Sequence, residues 1–189
     1  MSHENLPFMR ARITAPMWTQ NLSKVVLRSR RAGYGTGALI CAGLLGFALY
    51  LQYYEFQDPC PLCILQRVAF IALMAVFMVA ALHGPARMGS YIYSSLLVMV
   101  ALAGGGIAAR QVWLQHLPED RIPACGPGLD YMLNRFPLGL VMQKIFRGSG
   151  ECAEVGWRFL GLSIAEWSLV WFILLAVLAV AVALNARRR

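Results

Sequence analysis

Cysteine is the residue type here with the most chemistry to offer, and four of the five copies fall in two separate stretches: Cys60 with Cys63, then Cys125 and Cys152, with Cys41 standing apart. Cys60-Pro61-Leu62-Cys63 is a C-x-x-C, whose disulfide closes so small a ring that it adds little stability compared with a long loop. Such a ring suits thiol–disulfide exchange better than stapling. Pro61 fits the first position of a helix, which puts Cys60 at the cap and Cys63 in the first turn. There the helix dipole and unpaired N–H groups favour a thiolate, and so a reactive sulfur. The other use of a C-x-x-C is half of a zinc site. Zinc needs two further ligands, and His3, His83 and His116 supply neither an H-x-x-H nor a second C-x-x-C, so no metal is expected. Purely structural disulfides are the plain alternative.

Arg67 follows Cys63 by four residues, so on a helix it lies on the same face, about one turn further along. In a membrane helix a cation at that depth needs a partner and is a functional candidate; the competing role is an arginine that snorkels to the lipid headgroups. A cation beside a thiolate suits a polar, anion-forming redox group. A lipid-soluble quinone, able to take two electrons from a dithiol, fits. Cys125 sits in Arg121-Ile122-Pro123-Ala124-Cys125-Gly126-Pro127-Gly128, where proline and glycine exclude a helix and favour an exposed, turning chain. A disulfide on such a chain is open to attack by an external thiolate. Between Cys125 and Cys152 apolar residues from Tyr131 to Phe146 interleave with Arg135, Gln143 and Lys144. That stretch reads either as a short interfacial helix interrupted by Pro137 and Gly139, or as a loop packed on the rest of the protein.

The elements that must position these residues are membrane helices. Of 189 residues 59% are hydrophobic and 14% charged, against roughly 25% charged in soluble domains, which excludes a soluble globule. A mean hydropathy of +0.58 also leaves too little wettable surface for a nucleic-acid-binding domain, despite a net charge of +8. Spanning a hydrocarbon core of ~30 Å takes about 20 apolar residues, and four runs are about that long: Gly33–Tyr53, Ile64–Leu82, Tyr91–Ala109 and Ile164–Leu184. The expected fold is therefore an all-α integral membrane protein, a bundle of four transmembrane helices with two cysteine-bearing loops, 54–63 and 110–163. Residues 1–32 form a basic, mostly disordered arm in this reading, 33–184 the membrane domain and 185–189 a basic tail. The arm offers Lys24–Arg31 to anionic lipid.

Position resolves the charge. The termini and the connection 83–90 carry +9, and the rest of the chain −1. By the positive-inside rule the termini are cytoplasmic and the cysteine loops face outward, into an oxidising periplasm where loop cysteines favour disulfides. Tyr50, Tyr53, Tyr54 and Phe56, with Trp113, Trp167 and Trp171, would mark the outer interface. The first run is longer than a signal-peptide core and no A-x-A-like site follows it, so it is read as a retained helix.

Taken together, the residues resemble the DsbB family of inner-membrane disulfide bond formation proteins. Cys60-Pro61-Leu62-Cys63-Ile64-Leu65-Gln66-Arg67 is similar to that family's C-x-x-C-I-x-x-R. Gly150-Glu151-Cys152-Ala153-Glu154, Trp157, Phe159-Leu160-Gly161-Leu162-Ser163 and Trp167 resemble its G-x-C-A-E-x-x-W-x-F-L-G-L signature, and Arg135-Phe136-Pro137 a short R-F-P segment. The resemblance covers about Gly33 to Leu184. It implies that a reduced thioredoxin-fold oxidase of the periplasm, DsbA-like, attacks a Cys125–Cys152 disulfide at Cys125. The freed Cys152 then attacks Cys60, releasing Cys63 to react with ubiquinone or menaquinone beside Arg67. Where some members carry a histidine near the quinone, this chain has Gln111, which can hydrogen-bond a quinone carbonyl but cannot take up a proton near neutral pH. The basic arm is longer than the usual start of the family.

Other features have structural readings. Gly104-Gly105-Gly106 permits close helix packing, Ser163-Ile164-Ala165-Glu166 has the form of a capping box, and Cys41 is a small filler between helices. Competing functions are an interaction membrane protein with stabilising loop disulfides, or a quinone reductase of the vitamin K epoxide reductase type.

Overall fold

The computed structural model describes residues 30–121, 131, 134–148 and 150–187. The arm before Arg30 and the stretch holding Cys125 lie outside the described residues. All four apolar runs are helices, and each extends past the limits that hydropathy sets. α1 spans Arg30–Tyr54, α2 Pro61–His83 and α3 Arg87–Gln115; a short α4, Leu138–Arg147, and a single turn, α5, Gly150–Ala153, precede α6, Ile164–Arg187. At α2 and at the start of α6, caps and not the limits of the apolar run set the helix ends. Cys60 is extended at the N-cap of α2 and Pro61 opens the helix, as the sequence leads one to expect. Gly84 closes the same helix at φ 59°, a left-handed position that glycine adopts without a Cβ penalty, and its N–H bonds the Ala80 carbonyl at 3.0 Å. α3 continues six residues beyond Ala109, so that 110–115, assigned to a loop by hydropathy, are helical. At α6 the Ser163 N–H donates to Glu166 Oε2 at 2.6 Å and the Glu166 N–H to Ser163 Oγ at 3.3 Å, a reciprocal capping box.

All four long helices are long and apolar enough to cross a membrane. The protein is a multi-pass membrane protein built as a four-helix bundle. Leu39, Ile71, Leu102, Ile173 and Val177 are among the large apolar side chains left exposed, a surface that suits lipid and not water. Inside, Phe70 of α2 stacks on Phe172 of α6 at 4.2 Å, and Cys41 is fully buried in the same cluster. Close packing is required at only one residue of the glycine triplet. A Cβ on Gly104 would come within 2.4 Å of Phe172, one on Gly105 would make ordinary contact, and one on Gly106 would meet nothing. At the end of the bundle away from the cysteines, Tyr34 of α1 shares its hydroxyl with Ser90 and Ser94 of α3, and Ser94 donates to the Ala179 carbonyl of α6.

Within the described part of the segment after α3, α4 and α5 pack on the bundle. Helical backbone at Asn134 and Arg135 breaks at Phe136 and Pro137, as expected at that proline, and α4 restarts at Leu138, with Gly139 inside its first turn and not interrupting it. Its apolar face carries Val141 and Ile145, buried against Leu62, Leu114, Cys60 and Cys152. A two-residue hairpin, β1 Arg158–Phe159 and β2 Leu162–Ser163, then leads into α6, turning at Leu160 (φ 51°) and Gly161 (φ 81°).

Candidate functional site

Cys60 and Cys63 face one another at the start of α2, with 2.8 Å between their sulfurs. The turn itself imposes this: an extended cap followed by proline brings the Cys63 N–H to 3.4 Å from Cys60 Sγ. α5 delivers the third sulfur. Cys152 is fully buried next to Cys60 within one apolar cluster, and their side chains hydrogen-bond. That bond, the one with Cys63 and burial together push the Cys60 thiol well above the ordinary cysteine range, so Cys60 stays protonated in the reduced protein. Cys60 is a buried residue and Cys63 a part-buried one.

Gln111 comes from the helical extension of α3. Its Nε2 lies 3.4 Å from Cys60 Sγ and 3.2 Å from Cys63 Sγ, while its Oε1 accepts from Gln66 Nε2 at 2.6 Å. The Cys63 thiol is also 3.6 Å from that Oε1. The side chain read from the sequence as a donor to a quinone carbonyl is thus engaged with the sulfurs. Arg67, one turn past Cys63, is tied to α1: Nη1 donates to Gln52 Oε1 and Nη2 to the Ala48 carbonyl at 3.1 Å. Both acceptors are neutral oxygens, so these bonds orient the guanidinium without neutralising it.

These residues line a cavity of about 520 Å³, of the size that takes small organic ligands. Cys60, Cys63, Arg67 and Gln111 supply polar atoms on one side; Leu44 and Phe47 of α1 and Trp167 and Trp171 of α6 supply apolar wall. Trp157 closes the rim edge-on to Phe47 at 5.6 Å and stacks on Phe159, whose carbonyl accepts from Trp167 Nε1 at 3.1 Å. Helix packing is close between α3 and α6 and loose between α1 and α6, and the cavity lies at that loose seam. Among the described residues no group of three His, Cys, Asp or Glu side chains is placed to hold a metal.

The structure therefore brings together Cys60, Cys63, Cys152, Arg67 and Gln111, five of the six residues that the sequence singles out; Cys125 lies outside the described residues. Three neighbouring sulfurs can pass a disulfide among themselves by exchange, with a cavity lined by Cys60 and Cys63 beside them. Two contributors were not legible as such. Gln66 is a polar residue three positions after Cys63 and so on the same face, a signal that spacing offers. Gln52 gives no local signal, since only the packing of α1 on α2 makes it the acceptor for Arg67.

Comparison with known proteins gives concordant results. The family model described as "Disulfide bond formation protein DsbB" matches residues 30–182. A protein of Nitrosococcus oceani named disulfide bond formation protein B is 54% identical over 143 residues, covering 76% of this chain and 85% of the relative. Proteins of the same name from Aromatoleum aromaticum and Methylococcus capsulatus are 52% and 45% identical; the first alignment covers 75% of this chain and 84% of the relative, the second 87% and 100%.

Proposed function

Because this chain belongs to the DsbB family of disulfide bond formation proteins, we propose that it reoxidises a periplasmic DsbA-like dithiol oxidase and passes the electrons to membrane quinone. In this reading the protein is a protein-dithiol:quinone oxidoreductase of the bacterial inner membrane. Its termini are cytoplasmic and its cysteine loops periplasmic, as the distribution of basic residues favours. The observation that carries the reading is the contact of Cys152 with the Cys60/Cys63 pair at the mouth of a largely apolar cavity.

The steps follow from which sulfur can be reached. Cys152 is fully buried, so an external thiolate enters at Cys125: it attacks that sulfur, the Cys125–Cys152 bond breaks, and Cys152 leaves as the thiolate. The partner's second thiol then displaces Cys125, so that the partner leaves oxidised and this pair is left as two thiols. Cys152 lies against Cys60 and attacks it, breaking Cys60–Cys63 and releasing Cys63; Cys125 then re-forms its bond with Cys152 and frees Cys60. The net result is one disulfide made in the partner and one dithiol left at Cys60 and Cys63.

The cavity suits a quinone headgroup: its volume and apolar wall match a lipid-soluble ring, and Arg67 presents a cation where oxygen would gain negative charge. Bound quinone supplies a two-electron, two-proton oxidant. Cys63 is the sulfur that faces it, Gln111 holds that sulfur by its amide N–H, and the aromatic rim of Phe47, Trp157 and Trp167 keeps water out. The loose α1–α6 seam fits entry from the bilayer side.

The test uses the full-length protein in nanodiscs with ubiquinone and a reduced thioredoxin-fold partner. Partner oxidation should require both protein and quinone, and Cys152→Ser should reduce it to the level without enzyme. A partner that stays reduced with wild-type protein and quinone present, or a Cys152→Ser variant at wild-type rate, contradicts the reading.

A further inference from the structure

We infer that Gln66 is a positioning residue that fixes which end of the Gln111 amide faces the sulfurs of Cys60 and Cys63. A primary amide presents donors at one end and an acceptor at the other, and the two ends have opposite effects on a nearby sulfur. N–H groups stabilise a thiolate, whereas a carbonyl oxygen stabilises the protonated thiol. Gln66 is 3% exposed and Gln111 is 4% exposed, so each needs a buried partner. They take each other: Gln66 Nε2 to Gln111 Oε1 is 2.6 Å. With its oxygen so engaged, Gln111 brings Nε2 nearer the sulfurs, at 3.4 Å from Cys60 and 3.2 Å from Cys63, than Oε1, which stands 3.6 Å from Cys63 Sγ. Gln66 itself lies next to the cavity, and its effect on the dithiol runs through Gln111.

Reduced full-length protein in nanodiscs, treated with iodoacetamide at one fixed pH and followed by peptide mass at Cys63, measures this directly. Gln66→Met removes the donor at similar size, and Gln111→Leu removes the amide. Each should slow alkylation of Cys63 by about tenfold, the scale of one hydrogen bond to a charged group. Gln66→Glu should slow it at least as much, because a carboxylate accepts from Gln111 Nε2 and turns Oε1 to the sulfurs. The double variant Gln66→Met/Gln111→Leu should be no slower than Gln111→Leu alone, since one residue acts through the other. Two results overturn the inference: Gln66→Met and Gln66→Glu at the wild-type rate whatever their thermal stability, or a double variant that adds the two losses in full. Should one Gln66 variant fail to fold, the other decides. The inference rests on Cys60 and Cys63 being a reactive dithiol, but alkylation needs neither quinone nor partner. A wild-type Cys63 inert to iodoacetamide would sink that reading, whereas unchanged rates in the variants sink only the role of Gln66.

Discussion

Replacing Cys63 with serine should abolish quinone reduction, a loss of roughly 10³-fold or more in kcat with no matching loss of folded protein. The size of the effect follows from the geometry. Cys152, Cys63 and burial push the Cys60 thiol up, and Cys63, which lines the cavity with it, is the sulfur proposed to react there. A serine hydroxyl in its place can neither form a disulfide with Cys60 nor give up electrons. The fold should persist, since the helix start depends on Pro61 and the extended cap at Cys60, which this change leaves in place. Quinone consumption and a thermal melt on the same preparation check both halves. Residual quinone turnover within tenfold of wild type would move the redox step to another sulfur.

Arg67→Ala should raise the KM for quinone by about 10- to 100-fold, the range expected when charge-assisted hydrogen bonding worth ~1.5–3 kcal/mol is lost, and should leave the KM for the protein partner unchanged. The guanidinium is anchored by Gln52 and the Ala48 carbonyl, so it meets the cavity in a fixed orientation on α2 while the partner works at the far side of the cysteine relay. Arg67→Lys should recover only part of the loss, because an ammonium cannot reproduce the planar two-point contact with α1. Steady-state kinetics with quinone and partner varied separately give the split. An unchanged quinone KM would leave Arg67 a tie between α1 and α2.

Where local rules govern, the sequence was readable. Proline after Cys60 set the start of α2, the Ser163–Glu166 spacing set the start of α6, and four apolar runs set the bundle. Hydropathy failed at the helix ends because it reports where lipid stops, whereas a helix continues until a cap or a break stops it. Gln111 fell into that gap: assigned to a loop, it lies on α3 and faces inward. The glycine triplet showed a similar limit, since composition marks all three residues while the Phe172 ring requires only Gly104 to lack a side chain. The interruption expected at Pro137 is present, between helical residues 134–135 and the start of α4, whereas Gly139 lies inside α4, whose apolar face has a bundle to pack on. No local pattern joins Cys152 to Cys60. Their contact depends on α4 and α5 folding back over the end of α2, which is tertiary packing.

The central claim is that the Cys60/Cys63 dithiol hands its electrons to membrane quinone. The most direct measurement takes the Cys125→Ser/Cys152→Ser variant, prereduced and freed of reductant, and mixes it anaerobically in nanodiscs with one equivalent of ubiquinone while quinone absorbance is followed. The account predicts that one quinol forms per chain as Cys60 and Cys63 together become inaccessible to alkylation. Quinone that stays oxidised over a folded, fully reduced dithiol would contradict it.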